Sequence, residues 1–343
     1  MTYTFRNTEM NNEKASNFET KSLLYLIGQR IDSKDVVYVT FDCFNDVNGI
    51  SGKFDKIWDI QSKNEKSLNP KKIGTYFYTL FDNFTSIFSF EEFIFFCPKL
   101  KPEYKIDINK TTYNLDNIVV KTFERIKNGL TEEIERVQED SITQALNIEN
   151  FLKKVLIVED NITDNDYIKA VTKFKNTNLK SDDFYNSLFN DLRDIQTTKK
   201  NSCIENTSIT EIREVLDFRR HLSTKDIETL IISRIIGCEI FKYKSIPIYF
   251  SPILDGMDIE DKKDLLQECN SNLSKAFFNK NQNKVFWSVC EMILDYITNT
   301  TDNDVGNIYQ LLFVEYAFKK NSYLTKETIL YLISIIIEGL NDN

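Results

Sequence analysis

The segment WDIQSKN (58–64) places Gln61 and Lys63 two residues apart, with Asp59 on the same face of what reads as a strand. An amide oxygen beside an ammonium suits one kind of chemistry: the oxygen helps to hold a hard cation, and the ammonium positions or activates a water. Magnesium is the natural ion, because it takes oxygen ligands through one or two carboxylates plus substrate phosphate. One amide oxygen cannot do this alone. Connectivity makes Asp46, on the loop before the strand, and Glu19, in the preceding helix, the best-placed sources of the missing negative charge.

The elements that must position these groups follow from periodicity. NFETKSLLYLIGQRI (17–31) spaces its apolar residues as a helix, with Asn17 as N-cap and Glu19 in the first turn. VVYVTF (36–41) is a β-branched and aromatic strand, followed by a loop or hairpin connection through DCFNDVNGISG. KIWDIQSK is the next strand, KKIGTYFYTLFDNF (71–84) a helix, and EEFIFFCP (91–98) a buried strand ended by proline. A helix at DNIVVKTFERIKNGL and an ambiguous KVLIVE segment complete an α/β core with mixed pairing. From about residue 163 the periodic segments are helical, SITEIREVLDFRRHL included, so the chain divides into an α/β domain (1–162) and an all-α domain (163–343). IPIYFSPIL (246–254) interrupts the helices as a linker, and the apolar ILYLISIIIEGL belongs to a core.

This order of elements resembles the PD-(D/E)XK nuclease superfamily: a helix with Glu, a strand, FDCFNDV, then the IQSK strand at 60–63, then a helix leading to an apolar strand. Within it, residues 15–160 look most like the double-stranded DNA endonuclease domain of CBASS-type and Lamassu-type anti-phage effectors. The resemblance implies a restriction-endonuclease-like mixed sheet flanked by helices. It implies Asp46 as the metal-binding aspartate, Gln61 in place of the usual acid, Lys63 as the catalytic lysine and Glu19 as the helix glutamate, with magnesium or manganese as cofactor. Asp42 competes with Asp46 for the metal; the family pattern favours Asp46. The helical half does not resemble the cyclic-nucleotide sensor of the CBASS effectors, so it is expected to regulate or to bind a protein partner of the same defence system.

Composition narrows the alternatives. The formal charge of −9 argues against bulk coating of nucleic acid, while leaving room for a local basic groove. Lys66, Lys71 and Lys72 form one candidate phosphate-contacting cluster, and Arg219, Arg220 and His221 another. Asp59 reads as solvated at a strand edge. A single histidine, His221, in what reads as an amphipathic helix, excludes histidine-pair zinc hydrolases, and there is no P-loop and no G-x-G-x-x-G. Six cysteines without C-x-x-C spacing read as reduced and mostly buried. No signal peptide and no spanning helix are visible, so a cytoplasmic location is expected. The leading expectation is a magnesium-dependent endodeoxyribonuclease acting on double-stranded DNA, with a homodimer able to supply two centres for two strands. The alternatives are an inactive nuclease-fold interaction module and a sequence-specific restriction enzyme.

Overall fold

The structure, a computed structural model, describes residues 2–5, 13–137, 144–176, 178–242, 245–315 and 322–341. The chain forms two compact units: Met1–Val171 together with Phe189–Thr224, and Thr172–Leu188 together with Lys225–Asn343. Residues 189–224, which periodicity assigns to the helical half, thus belong to the first unit.

In chain order the first unit contains β1 (Tyr3–Thr4), α1 (Glu13–Leu24), β2 (Val36–Phe41), β3 (Val47–Ser51), β4 (Ile57–Ser62), α2 (Pro70–Phe84) and β5 (Glu92–Pro98). There follow β6 (Thr112–Asn114), α3 (Val120–Val137), α4 (Gln144–Leu152), β7 (Val155–Asp160), α5 (Asp164–Thr172), the second part of α6 (Asp182–Lys199), β8 (Ser208–Ile209) and β9 (His221–Ser223). Seven strands make one mixed sheet in the order β6-β7-β5-β4-β3-β2-β9, and β1 pairs with β8 in a separate ribbon. The β4–β5 and β5–β7 pairs are parallel, and the others antiparallel. Parallel strands in the sheet interior are covered on both faces, which is why β5 reads as an unbroken apolar run and why its residues 93–97 are buried.

The helix expected to begin at Asn17 starts four residues earlier, at Glu13. Asn17 is therefore interior to α1, where its side chain accepts a hydrogen bond from Arg193 at 3.0 Å, and Glu19 lies mid-helix. Helix α2 begins as its sequence directs: Asn69 caps it by accepting from the Lys72 amide, and Pro70 occupies the first helical position. Helices α2 and α3 meet backbone to backbone. A methyl group on Gly74 would overlap the Ile126 carbonyl oxygen, and one on Gly129 the Lys71 carbonyl. Phe77, Phe81, Phe93, Phe95 and Phe151 fill the space between α2 and the sheet.

The SITEIREVLDFRRHL segment is not one helix. It forms β8, a short 3-10 helix at Ile212–Phe218, a left-handed residue at Arg219 (φ 59°) and β9, because its last residues pair with the open edge of β2. His221 consequently sits on an edge strand opposite Thr40.

The second unit contains the first part of α6, α7 (Thr224–Ile236), α8 (Ile259–Phe278), α9 (Asn283–Asn299), α10 (Val305–Tyr309) and α11 (Lys326–Asn341). Helix α11 runs through its core, with residues 328–337 all buried. IPIYFSPIL packs onto that helix and does not act as a free linker: Phe250 is buried with its ring 5.2 Å from Tyr331, and the Ile248 amide donates to Glu338. Among the described residues no helix is long and apolar enough to cross a membrane.

Candidate functional site

The site begins with a turn. Between β2 and β3 the chain reverses through residues 42–46, with Asp42 in the left-handed region (φ 48°), a conformation that Asp adopts more readily than most residues. The Asn48 side-chain oxygen accepts from the amides of Phe44 and Asn45 at 3.2 and 3.3 Å, so this side chain satisfies the turn that the backbone leaves open.

Beneath the turn lies Asp59, fully buried on β4. Its carboxylate accepts from the side-chain amides of Asn45 (2.9 Å), Asn48 (2.7 Å) and Asn83 (2.7 Å), and Asn83 also donates to the Phe44 carbonyl. Burial pushes the Asp59 carboxyl up to about 7, against the pull of its three amide donors. The solvated strand-edge role expected of Asp59 is therefore corrected. β4 is interior to the sheet, α2 covers this face, and Asp59 ties turn, strand and helix together.

Upon that base the carboxylates of Glu19, Asp42 and Asp46 converge, one oxygen from each lying within 4.8 Å of the others. Asp46 and Asp42 are thus joint members of the cluster. Asp46 is fixed through a single oxygen, Oδ2, which accepts from the Gln61 amide (2.6 Å), the Ser62 backbone (2.7 Å) and the Ser62 hydroxyl (3.0 Å). Gln61 Oε1 in turn accepts from Thr79 on α2 at 2.5 Å. The structure accordingly brings Gln61 to the site through its NH₂ group, and its oxygen faces Thr79, away from the ligand role expected of it.

Burial dominates the electrostatics of the cluster. Burial raises the Glu19 carboxyl to about 7; Lys200 opposes the shift, while Asp46 and Asp42 reinforce it. Burial also raises Asp46, with the Lys63 charge the chief opposing influence. Lys200 is the member of this cluster that the sequence conceals. Its ammonium bridges Glu19 and Asp42 (3.1 Å to the latter), and its side chain is 8% exposed. Burial works against the charge of Lys200, yet Glu19 and Asp42 outweigh it and its pKa ends above the ordinary lysine value.

Lys63, immediately past β4, lies with its ammonium 5.4 Å from the centre of the Tyr76 ring. It opens onto a cavity of about 480 Å³ whose lining includes Asp42, Asp46, Gln61, Tyr76 and Asn83. Of the other cationic candidates, Lys71 pairs with Glu132 and Lys72 with Glu65, each at surface positions where such pairs are weak. Arg220 is corrected as a phosphate contact. It is 3% exposed, and its guanidinium donates to the carbonyls of Asp42, Lys200 and Ser202.

Three carboxylate oxygens gathered in a half-buried recess, with two of the carboxyls raised chiefly by burial, fit a hard divalent cation by the chemistry of the donor set. Comparison of the chain with protein-family models, curated proteins and solved structures finds no match.

Proposed function

We propose that this chain is a metal-dependent endonuclease that hydrolyses phosphodiester bonds in DNA. The observation that carries the reading is the convergence of Glu19, Asp42 and Asp46 within 4.8 Å, beside a cavity onto which Lys63 opens. Support comes also from the order of elements around it. A helix bearing Glu19 precedes three antiparallel strands, then a helix, then a strand parallel to the third, which is the arrangement expected of a restriction-endonuclease-like core.

Glu19, Asp42 and Asp46 would hold magnesium or manganese, which when bound supplies Lewis-acid stabilisation of charge on the phosphoryl oxygens. The chain's own residues do the rest. Gln61 and Ser62 fix the Asp46 carboxylate, Thr79 fixes Gln61, and Tyr76 keeps the Lys63 ammonium beside the cavity. Lys63 then orients the attacking water or faces the phosphoryl oxygens as charge builds on them. Double-stranded DNA as substrate, a role as effector in anti-phage defence, and a protein partner for the helical unit rest on the resemblance of the 15–160 motifs. The test is plasmid nicking or linearisation by the purified chain with magnesium, set beside Lys63→Ala. Undiminished magnesium-dependent cleavage by that variant would refute the assignment.

One observation favours a second reading, a nuclease fold kept as an interaction module without turnover. Lys200 already supplies a cation to two of the three carboxylates. Titration of the chain with manganese chloride in a calorimeter separates the two, because the module needs no bound metal.

A further inference from the structure

Lys200 is a built part of the acidic recess. Its backbone is fixed on both sides: its amide donates to the carbonyls of Gln196 and Thr197 at the end of α6, and its own carbonyl accepts from Arg220 at 2.8 Å. The same guanidinium holds the Asp42 carbonyl at 3.2 Å, so one buried arginine seats the lysine and the aspartate against each other. On the far side, Gln196 donates to Glu19 at 3.3 Å and accepts from Thr20, which holds α6 to α1 where the Lys200 ammonium meets Glu19. The ammonium contacts Oε2 of Glu19 and Oδ2 of Asp42. A divalent ion held by the three carboxylates must share the charge of these same two groups. An ammonium and a divalent cation on the same carboxylates repel over a few ångströms in a site shielded from water.

We propose that Lys200 is a tethered competitor for the cation position, so that a divalent ion binds only by displacing its ammonium from Glu19 and Asp42. The inference rests on the metal-binding reading above and adds the residue that sets the concentration at which the site fills. Lys200 is in this sense a positioning residue. It holds the carboxylates together when no ion is present and yields them when one arrives.

The experiment is calorimetric titration of the full chain with manganese chloride, comparing the wild type with Lys200→Gln and Lys200→Arg. Removing the charge should tighten manganese binding by roughly tenfold, as expected for loss of a like charge at this range. Lys200→Arg keeps the charge and should bind as weakly as the wild type. Equal or weaker binding by Lys200→Gln, with the wild type still binding, overturns the competitor and leaves the metal site standing. Absence of manganese binding by both proteins overturns the competitor and the metal reading together. Should Lys200→Gln fail to fold, the Lys200 ¹³Cε resonance of the wild type, assigned by its loss in Lys200→Arg, serves instead. It should shift as magnesium is added, and a resonance that stays fixed while calorimetry records magnesium binding overturns the proposal.

Discussion

Gln61 on β4 donates its side-chain amide to Asp46, at the end of the turn before β3, across 2.6 Å. The amide donates to Asp46 without adding negative charge to a recess that already holds three carboxylates, whereas a carboxylate at that distance would repel it. Gln61→Glu should therefore destabilise the metal-free protein by about 1–3 kcal/mol, the cost of a lost buried hydrogen bond and an added like charge. Divalent metal should recover part of that loss, since one more oxygen anion joins the donor set. Thermal melting with and without manganese checks both halves, and a metal-free Gln61→Glu protein as stable as the wild type would contradict the role given to the amide.

Lys63 is half-exposed and packs over Tyr76, so its removal should spare the fold and strike the chemistry. Lys63→Ala is expected to lower plasmid cleavage by on the order of 10²-fold or more, the scale for a lost charge-stabilising group, with an unchanged melting temperature. Tyr76→Leu should cut the rate less, because the ammonium remains but is less well held. A Tyr76→Leu protein as slow as Lys63→Ala would show that the ring does more than orient the lysine.

The pH dependence of stability has a defined sign. Glu19 and Asp59 both have folded-state carboxyls pushed up to about 7, far above their unfolded values. Between about pH 4 and pH 7 the folded chain retains protons at these groups that the unfolded chain releases, so their contribution to stability falls as pH rises through that window and levels off above it. Asp59→Asn removes one of the two groups and should flatten the decline. Denaturant unfolding of metal-free protein from pH 4.5 to 8 reads the difference between the two slopes, and identical slopes would exclude Asp59 as a carrier of this dependence.

Much of this site is legible in the order of residues, and the remainder is hidden for physical reasons. The spacing of Asp46, Gln61 and Lys63 along adjoining strands is local, and pairing of β3 with β4 brings those groups together as their connectivity suggests. Alternation along WDIQSK assigns Asp59 to a face but cannot say that α2 will cover that face, since that depends on where Asn83 lands. SITEIREVLDFRRHL carries a helical pattern, and an unpaired edge on β2 overrides it. Lys200 lies 181 residues from Glu19 in sequence, and no local pattern connects the two. Glu19 itself is suggested by connectivity and by resemblance, while its partners Gln196 and Lys200 follow only from the packing of the end of α6 against α1.

The contact between α2 and α3 offers a test that does not touch the acidic recess. Helix α2 supplies Tyr76, Thr79 and Asn83 to the site, and its closeness to α3 depends on two glycines that face each other's backbone. Gly74→Ala forces a methyl group into the Ile126 carbonyl. Neither helix can yield by moving a flexible side chain, so α2 must shift as a body. The expected cost is about 1–3 kcal/mol or more, the range for overpacking a close contact, offset only slightly by the higher helix propensity of alanine. Because Asn83 and Thr79 shift with the helix, Gln61 and Asp59 each lose one partner, and cleavage should fall even where the variant remains folded. An exposed helical control such as Lys121→Ala should change neither property. Equal melting temperatures for Gly74→Ala and the wild type would mean that α2 is free to move away from α3, and that the geometry of the recess does not depend on their contact.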